Sequence, residues 1–254
     1  MQKGLLREPA SGRCRAYRDL AALFRYPGGD LTFLAREDVL RRDFLAWSEE
    51  AGGRASASAA GLAGELADRL GGLSIENLQS EFAGTFGHAV SEDCPPYETH
   101  FGCAHVYQQT ERMADIAGCY RAFGLEVADE AGERPDHIAL ELEFMHFLVF
   151  KEQYAREQHG EDKATLCREA QRTFMENHLG RWAPYFFRQL AQKAAGAVYE
   201  KAAELGLVFL ETEAKVLGVC PQEDVQEVSA AVDAGDSCTP CLDAEFCGGL
   251  EGRF

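Results

Sequence analysis

Three groups of residues in this sequence could do chemistry. The first is Glu133-Arg134-Pro135-Asp136-His137, running into Ile138-Ala139-Leu140-Glu141-Leu142-Glu143-Phe144-Met145. An aspartate, a histidine and a glutamate this close offer proton transfer at neutral pH. Asp136 stands beside the first turn of a helix, where negative charge is favoured. Glu141 falls one helical turn after His137 and is expected to raise its proton affinity. No Ser or Cys nucleophile is tied to these residues, and no His-x-x-x-His ligand spacing occurs. A capped helix start with an ordinary salt bridge accounts for them as well as catalysis does.

The second group is Pro95-Pro96-Tyr97-Glu98-Thr99. A proline pair holds the chain extended and presents Tyr97 and Glu98 at a helix boundary. The alternative is a rigid turn with a packed tyrosine. The third group is Cys238-Thr239-Pro240-Cys241, with Cys247 after it and Cys220 before it. A CxxC pair clamps zinc or an iron–sulfur cluster, and Cys220 and Cys247 complete four thiolates. A redox dithiol is a further possibility, but the βαβ context of thioredoxin-like sites is missing. Incidental thiols on a loose tail are the plain alternative. The chain holds nine cysteines, an odd number. Without an apolar export signal near the start, reduced thiols or a metal site are expected rather than disulfides. The scattered cysteines from 14 to 167 read as small buried hydrophobes.

Helices must position these groups. Tyr17, Leu20, Ala21 and Phe24 recur at helical spacing, and Pro27-Gly28-Gly29 stops them. Asp30 is expected to cap one helix carrying Leu34, Leu40 and Trp47. An Ala-rich helix over 56–70 follows, then Ser74 caps a helix with Ile75, Leu78, Phe82 and Phe86 on one face. Residues 88–102, with Pro95, Pro96 and Gly102, cannot form one continuous helix. The stripe Val106, Met113, Ile116, Tyr120 predicts a helix from about 105 to 123. Gly124 to Pro135 is polar, a loop or hinge, and Pro135 suits the first turn of the next helix, to about Gln158. Leu166, Ala170 and Phe174 mark the buried stripe of another. A long segment opens at Pro184 and reaches about Leu217, with a kink expected near Gly206. The predicted fold is all-α, with nine or ten helices, no fixed-period repeat and no glycine-rich phosphate loop. Its divisions are 1–127, an N-terminal helical half; 128–220, a C-terminal helical half; and 221–254, an acidic cysteine-containing tail.

The balance of 42 acidic against 25 basic residues gives a net charge of −17. That argues against nucleic acid as a partner and suits a cationic one. No apolar run is long enough for a membrane span.

Tyr17-x-x-Leu20-x-x-Leu23-Phe24-x-x-Pro27, Pro96-Tyr97-Glu98 and Glu133-x-Pro135-Asp136-His137-Ile138-x-x-Glu141-Leu142-Glu143-Phe144-Met145 occur in that order. Together with His178-Leu179-x-x-Trp182 and Tyr199, over roughly residues 14–219, they resemble the TorD/DmsD/NarJ family of redox-enzyme maturation chaperones. The resemblance implies a TorD-like helical bundle in two halves joined by a hinge. It implies a cytoplasmic chaperone that is not an enzyme. Such a chaperone binds the twin-arginine signal peptide or N-terminal segment of a molybdenum oxidoreductase catalytic subunit and assists molybdopterin cofactor insertion. It implies peptide-binding roles for Pro96, Tyr97, Glu98, Glu133, Pro135, Asp136, His137 and Glu141, and a monomer or a domain-swapped dimer. The cysteine tail departs from the family pattern. It keeps open a zinc- or iron–sulfur-binding accessory protein acting through Cys220, Cys238, Cys241 and Cys247. A weak nucleotide-hydrolysing enzyme is the other alternative.

Overall fold

The computed structural model describes residues 11–36, 38–87, 94–102, 105–128 and 132–222. Among these it forms ten α-helices: α1 (Gly12–Leu23), α2 (Gly29–Arg36), α3 (Val39–Ala51), α4 (Gly53–Gly71), α5 (Ile75–Phe86), α6 (Val106–Ala122), α7 (Ile138–Gln158), α8 (Glu161–Phe174), α9 (Gly180–Lys193) and α10 (Val198–Leu217). A 3₁₀ turn, Glu98–His100, lies between α5 and α6, and a π turn, Met175–Leu179, joins α8 to α9. The described residues contain no strand; their only β pairing is an isolated antiparallel bridge between Tyr97 and His137. No described helix is long and apolar enough to cross a membrane.

The helices begin and end where local chemistry dictates. Ser11 caps α1 by accepting from the Cys14 amide, and Ser74 caps α5 by accepting from the Asn77 amide. Both satisfy amides that would otherwise lack an intrahelical partner. The expected single helix through Asp30, Leu40 and Trp47 is two helices. Asp30 lies inside α2, and Asp38 takes a left-handed conformation with φ of 53°, which breaks the path before α3. The segment after Pro184 also divides differently from expectation. Pro184 sits inside α9, and the break falls at 194–197, where Gly196 has φ of 86°. Pro135 lies in the turn ahead of α7, whose N-cap is His137.

One apolar cluster extends from Cys14 to Val219 and is shared by helices on both sides of residue 127. α1 packs on α3 and α7, α10 packs on α9 and α4, and α7 packs on α8. Phe209 of α10 is its aromatic centre, with ring centroids 4.7 Å from Tyr17 and 4.8 Å from Trp47. Gly206 lets α10 ride directly on the Phe187 ring, since a Cβ there would stand 2.7 Å from it. A fold of this size draws most of its stability from such burial. Two expected stripes are corrected. On α6, Val106 is exposed, while Ile116 and Tyr120 are buried. On α8, Leu166 is exposed, and Ala164, Cys167, Gln171 and Phe174 face inward. Gln171 can be buried because its amide serves Glu152 and the Leu148 carbonyl while its oxygen accepts from Arg13. Hydrophobicity alone could not find a stripe that runs through a glutamine.

Buried charges are neutralised in place. The Arg13 guanidinium donates to Glu213 Oε2 at 2.6 Å, and Trp47 Nε1 donates to Glu213 Oε1 at 2.9 Å. This network ties α1, α3 and α10 through groups that would be costly if left alone.

Candidate functional site

The two motifs expected to carry function meet each other. The Glu98 amide donates to the Asp136 carbonyl at 2.9 Å, and the Ile138 amide donates to the Pro96 carbonyl at 2.9 Å. Residues nearly forty positions apart thus form one two-stranded clasp at the start of α7. The proline pair explains the geometry, because it keeps the first segment extended for pairing.

Asp136 is fully buried and locks the clasp. Its Oδ2 accepts from the Thr99 amide at 3.2 Å and from Thr99 Oγ1 at 2.7 Å. Arg134 donates from Nε to Oδ1 at 3.0 Å and from Nη2 to Oδ2 at 2.7 Å. Arg134 also covers the Tyr97 ring, with the guanidinium carbon 4.7 Å from its centroid. Tyr97 Oη donates to Glu133 Oε2 at 3.2 Å, and Tyr120 Oη donates to the Pro135 carbonyl at 2.8 Å. Burial, followed by the charge of Glu133, pushes the Tyr97 phenol up to about 12.

His137 is the N-cap of α7, and its Nδ1 accepts from the Ala139 amide at 3.2 Å. That bond needs a neutral ring. Burial pushes the His137 pKa down to about 4, against the attraction of Asp136. The expected stimulation of His137 by Glu141 is therefore not what happens: Glu141 points elsewhere, accepting from Trp182 Nε1 at 3.1 Å. Burial, then the neighbouring Glu98 carboxylate, holds Glu141 well above the ordinary carboxylate range. A neutral Glu141 is what allows two buried carboxyl groups to sit side by side. Glu98 in turn accepts from Arg112 at 2.9 Å and faces His178 Nδ1 at 3.3 Å.

Of the sequence-derived candidates, Pro96, Glu98, Asp136, His137 and Glu141 are buried, Tyr97 and Pro135 are half-buried, and Glu133 is exposed. All eight are gathered at the clasp and the α7 start. Asp136, His137 and Glu141 are each engaged by the protein itself: Asp136 by Thr99 and Arg134, His137 by the Ala139 amide and Glu141 by Trp182. Beside them lies a groove of about 390 Å³ between the 125–128 segment and α7. Leu125, Val127, Leu140, Phe144 and Phe147 give it an apolar floor, with Tyr120 at its inner end and Glu126 and Glu143 on its rim. Glu143 forms an ion pair with Arg25 of the α1–α2 connection. Helical periodicity does not mark this groove; its signal in the sequence is the apolar pair Leu125 and Val127 within the polar 124–135 loop.

Cys220 is exposed and free at the end of the described segment. Cys238, Cys241 and Cys247 lie outside the described residues. A different cluster of donor residues, Asp115, Cys119 and His178, lies among the described ones. Cys14, Cys94 and Cys167 are buried as expected of small apolar groups, whereas Cys119 is only half-buried.

The model of the nitrate reductase delta subunit family matches residues 54–188, more than half of the chain. The perchlorate reductase assembly chaperone protein of Dechloromonas aromatica is 31% identical over 135 residues, covering 52% of this chain and 59% of that protein. The chaperone protein TorD of Vibrio cholerae (strain M66-2) is 30% identical over 148 residues, covering 58% and 64%. The selenate reductase assembly chaperone protein of Thauera selenatis is 38% identical over 91 residues, covering 35% and 46%. The chain thus spans less than two thirds of the length of these curated relatives. With its ordered motifs, its all-α bundle and this match, the chain belongs to the nitrate reductase delta subunit family, the TorD-like family that its motifs resemble.

Proposed function

We propose that this chain is an assembly chaperone for a molybdopterin-containing oxidoreductase catalytic subunit. It acts in the cytoplasm, holds the twin-arginine leader or N-terminal segment of that subunit, and releases it after cofactor insertion. The observation that carries the reading is the apolar groove beside the clasp, with carboxylates on its rim. A twin-arginine leader has a cationic start and an apolar stretch. The apolar stretch suits the floor formed by Leu125, Val127, Leu140 and Phe147, and the cationic start suits Glu126, Glu133 and a chain of net charge −17. The relatives named as reductase assembly chaperones support the same reading.

In this proposal the eight sequence candidates divide by role. Tyr97 and Glu133 are accessible and touch the peptide. Pro96, Glu98, Pro135, Asp136, His137 and Glu141 do not line the groove and serve the peptide by holding the clasp and the start of α7 in place. The clasp at residues 96–98 and 136–138 joins the 1–127 half to the 128–220 half and serves as the hinge. The chain acts by binding alone, as a monomer or a domain-swapped dimer.

The test is calorimetric titration with synthetic leaders of molybdoenzyme catalytic subunits. A cognate leader is expected to bind with a Kd of about 1 μM or tighter, about −8 kcal/mol. Val127→Lys, which puts a cation on the groove floor, is expected to weaken binding at least tenfold while melting within about 0.5 kcal/mol of the parent. A leader that binds the parent and Val127→Lys equally overturns the placement in the groove. Absence of binding to any such leader, with no catalytic subunit captured, overturns the chaperone reading.

A further inference from the structure

The junction of α6 with the π turn holds a cluster of donor groups that the chaperone reading leaves unused. Asp115 and Cys119 are one helical turn apart on α6, so their side chains share a face. His178 comes from the π turn Met175–Leu179, and such turns often reposition a side chain at a working site. One donor atom from each of the three lies within 4.8 Å of the others. His178 Nε2 stands 3.5 Å from Asp115 Oδ2, close to the spacing of about 3.5 Å between neighbouring ligands of a tetrahedral zinc ion. On its other side, His178 Nδ1 is 3.3 Å from Glu98 Oε1, and Glu98 is itself held by Arg112 at 2.9 Å. A carboxylate behind a histidine fixes the ring and directs its free nitrogen at a metal. Next to the cluster, a polar cavity of about 700 Å³ is bordered by Gln108, Glu111, Asn177 and Arg181.

We propose that Asp115, Cys119 and His178 bind one zinc-class divalent cation, with a fourth coordination position open to this cavity. The donor set decides the class. A thiolate with an imidazole is too soft for calcium or magnesium, which take oxygen ligands, and mixed sulfur and nitrogen donors suit zinc. Three protein ligands and one open position describe a site that can take water or a partner's side chain. Charge also balances, since a thiolate, a carboxylate and a neutral imidazole around a divalent cation sum to zero. Binding releases the Cys119 thiol proton to solvent, together with any proton on His178 Nε2. The site is built from α6 and the α8–α9 path, so the cation would tie these elements together next to the clasp. It is distinct from the tail cysteines, and its ligands are separated in sequence by nearly sixty residues.

The experiment uses the full chain with Cys220, Cys238, Cys241 and Cys247 all replaced by Ser, reduced and handled without oxygen. Cobalt(II) is titrated in as a spectroscopic stand-in for zinc. One equivalent is expected to bind with a thiolate-to-cobalt charge-transfer band, and added zinc is expected to abolish it. Cys119→Ser should remove the band. Asp115→Asn, a change at an exposed residue, should weaken binding by at least tenfold with helix content unchanged. Glu98→Gln, acting as a positioning residue through His178, should weaken it by about 10–100-fold. If Glu98→Gln fails to fold, Asp115→Asn and Cys119→Ser decide the matter. The proposal is overturned if the chain without tail cysteines shows no charge-transfer band. It is equally overturned if Cys119→Ser keeps the band at full strength.

Discussion

Asp136→Ala removes the residue on which the clasp depends most. Asp136 is fully buried, and its two oxygens take the Thr99 amide, the Thr99 hydroxyl and both a Nε and a Nη2 donor of Arg134. Losing the carboxylate strands the Thr99 amide in the interior, at about 1–3 kcal/mol. Breaking a buried ion pair costs about 3–5 kcal/mol when the surviving charge stays buried. Here the Arg134 side chain is 39% exposed, so it can turn to water, and that part shrinks towards a surface pair at about 1 kcal/mol or less. The two together give roughly 1–4 kcal/mol. For a chain of this length that is a fall in Tm of about 2–16 °C. Urea unfolding should show the midpoint moving down with the slope preserved, as expected for a change in stability rather than in the extent of unfolding. A cycle with Thr99→Val isolates the latch: once either partner is gone, removing the other should cost much less. Peptide titration on the same protein separates the two roles this residue could have. If Asp136→Ala unfolds within about 0.5 kcal/mol of the parent and loses leader affinity instead, the latch argument is wrong and Asp136 is a peptide contact.

Three further outcomes follow from the buried charges. His137 has a folded pKa pushed down to about 4 from an ordinary value near 6.5, so its contribution is present above about pH 6.5 and is lost as pH falls through 4. At pH 4 the loss should be on the order of 3 kcal/mol, and His137→Asn, which can cap without titrating, should show a flatter Tm between pH 7 and 4; an unchanged slope refutes the assignment. Glu141 has the opposite sign: its raised pKa favours folding at acid pH, and the contribution fades as pH rises above the ordinary carboxylate range. Glu141→Gln should therefore melt at or above the parent at pH 8, and a variant that melts well below it would show that the ionised carboxylate is needed. Glu213→Ala leaves Arg13, with only 12% of its side chain exposed, without its main partner. The cost should be about 3–5 kcal/mol in urea unfolding, and a midpoint equal to the parent's would mean that Gln171 and Glu152 suffice for Arg13.

The clasp, the groove and the α6 cluster were legible in the sequence to different degrees. Helical periodicity is a local property, so the sequence alone determined the all-α class, the Ser74 cap and the span of α7, where apolar residues and Gly or Pro stops agree. Pro96-Tyr97-Glu98 and Pro135-Asp136-His137 were also recognisable as motifs, because proline and capping residues act on their own neighbours. Their meeting was not recognisable, since a bridge between Tyr97 and His137 depends on how helices far apart in sequence pack. The same limit explains Glu141. At one turn from His137 it looked like that residue's partner, but Trp182 of α9 donates to it instead, and burial beside Glu98 favoured the neutral acid. Leu166, expected inside, is exposed and Gln171 is buried, because hydrophobicity ranks single residues while burial of a glutamine depends on partners supplied by α1 and α7. Asp115 and Cys119 announced only a shared helix face. It took the π turn, which delivers His178 to that face with Glu98 behind it, to make three ordinary residues into a set of metal donors. Tertiary structure decided each of these points for one physical reason: the interior assigns partners and charge states by proximity and desolvation, and neither is written in the spacing of residues along the chain.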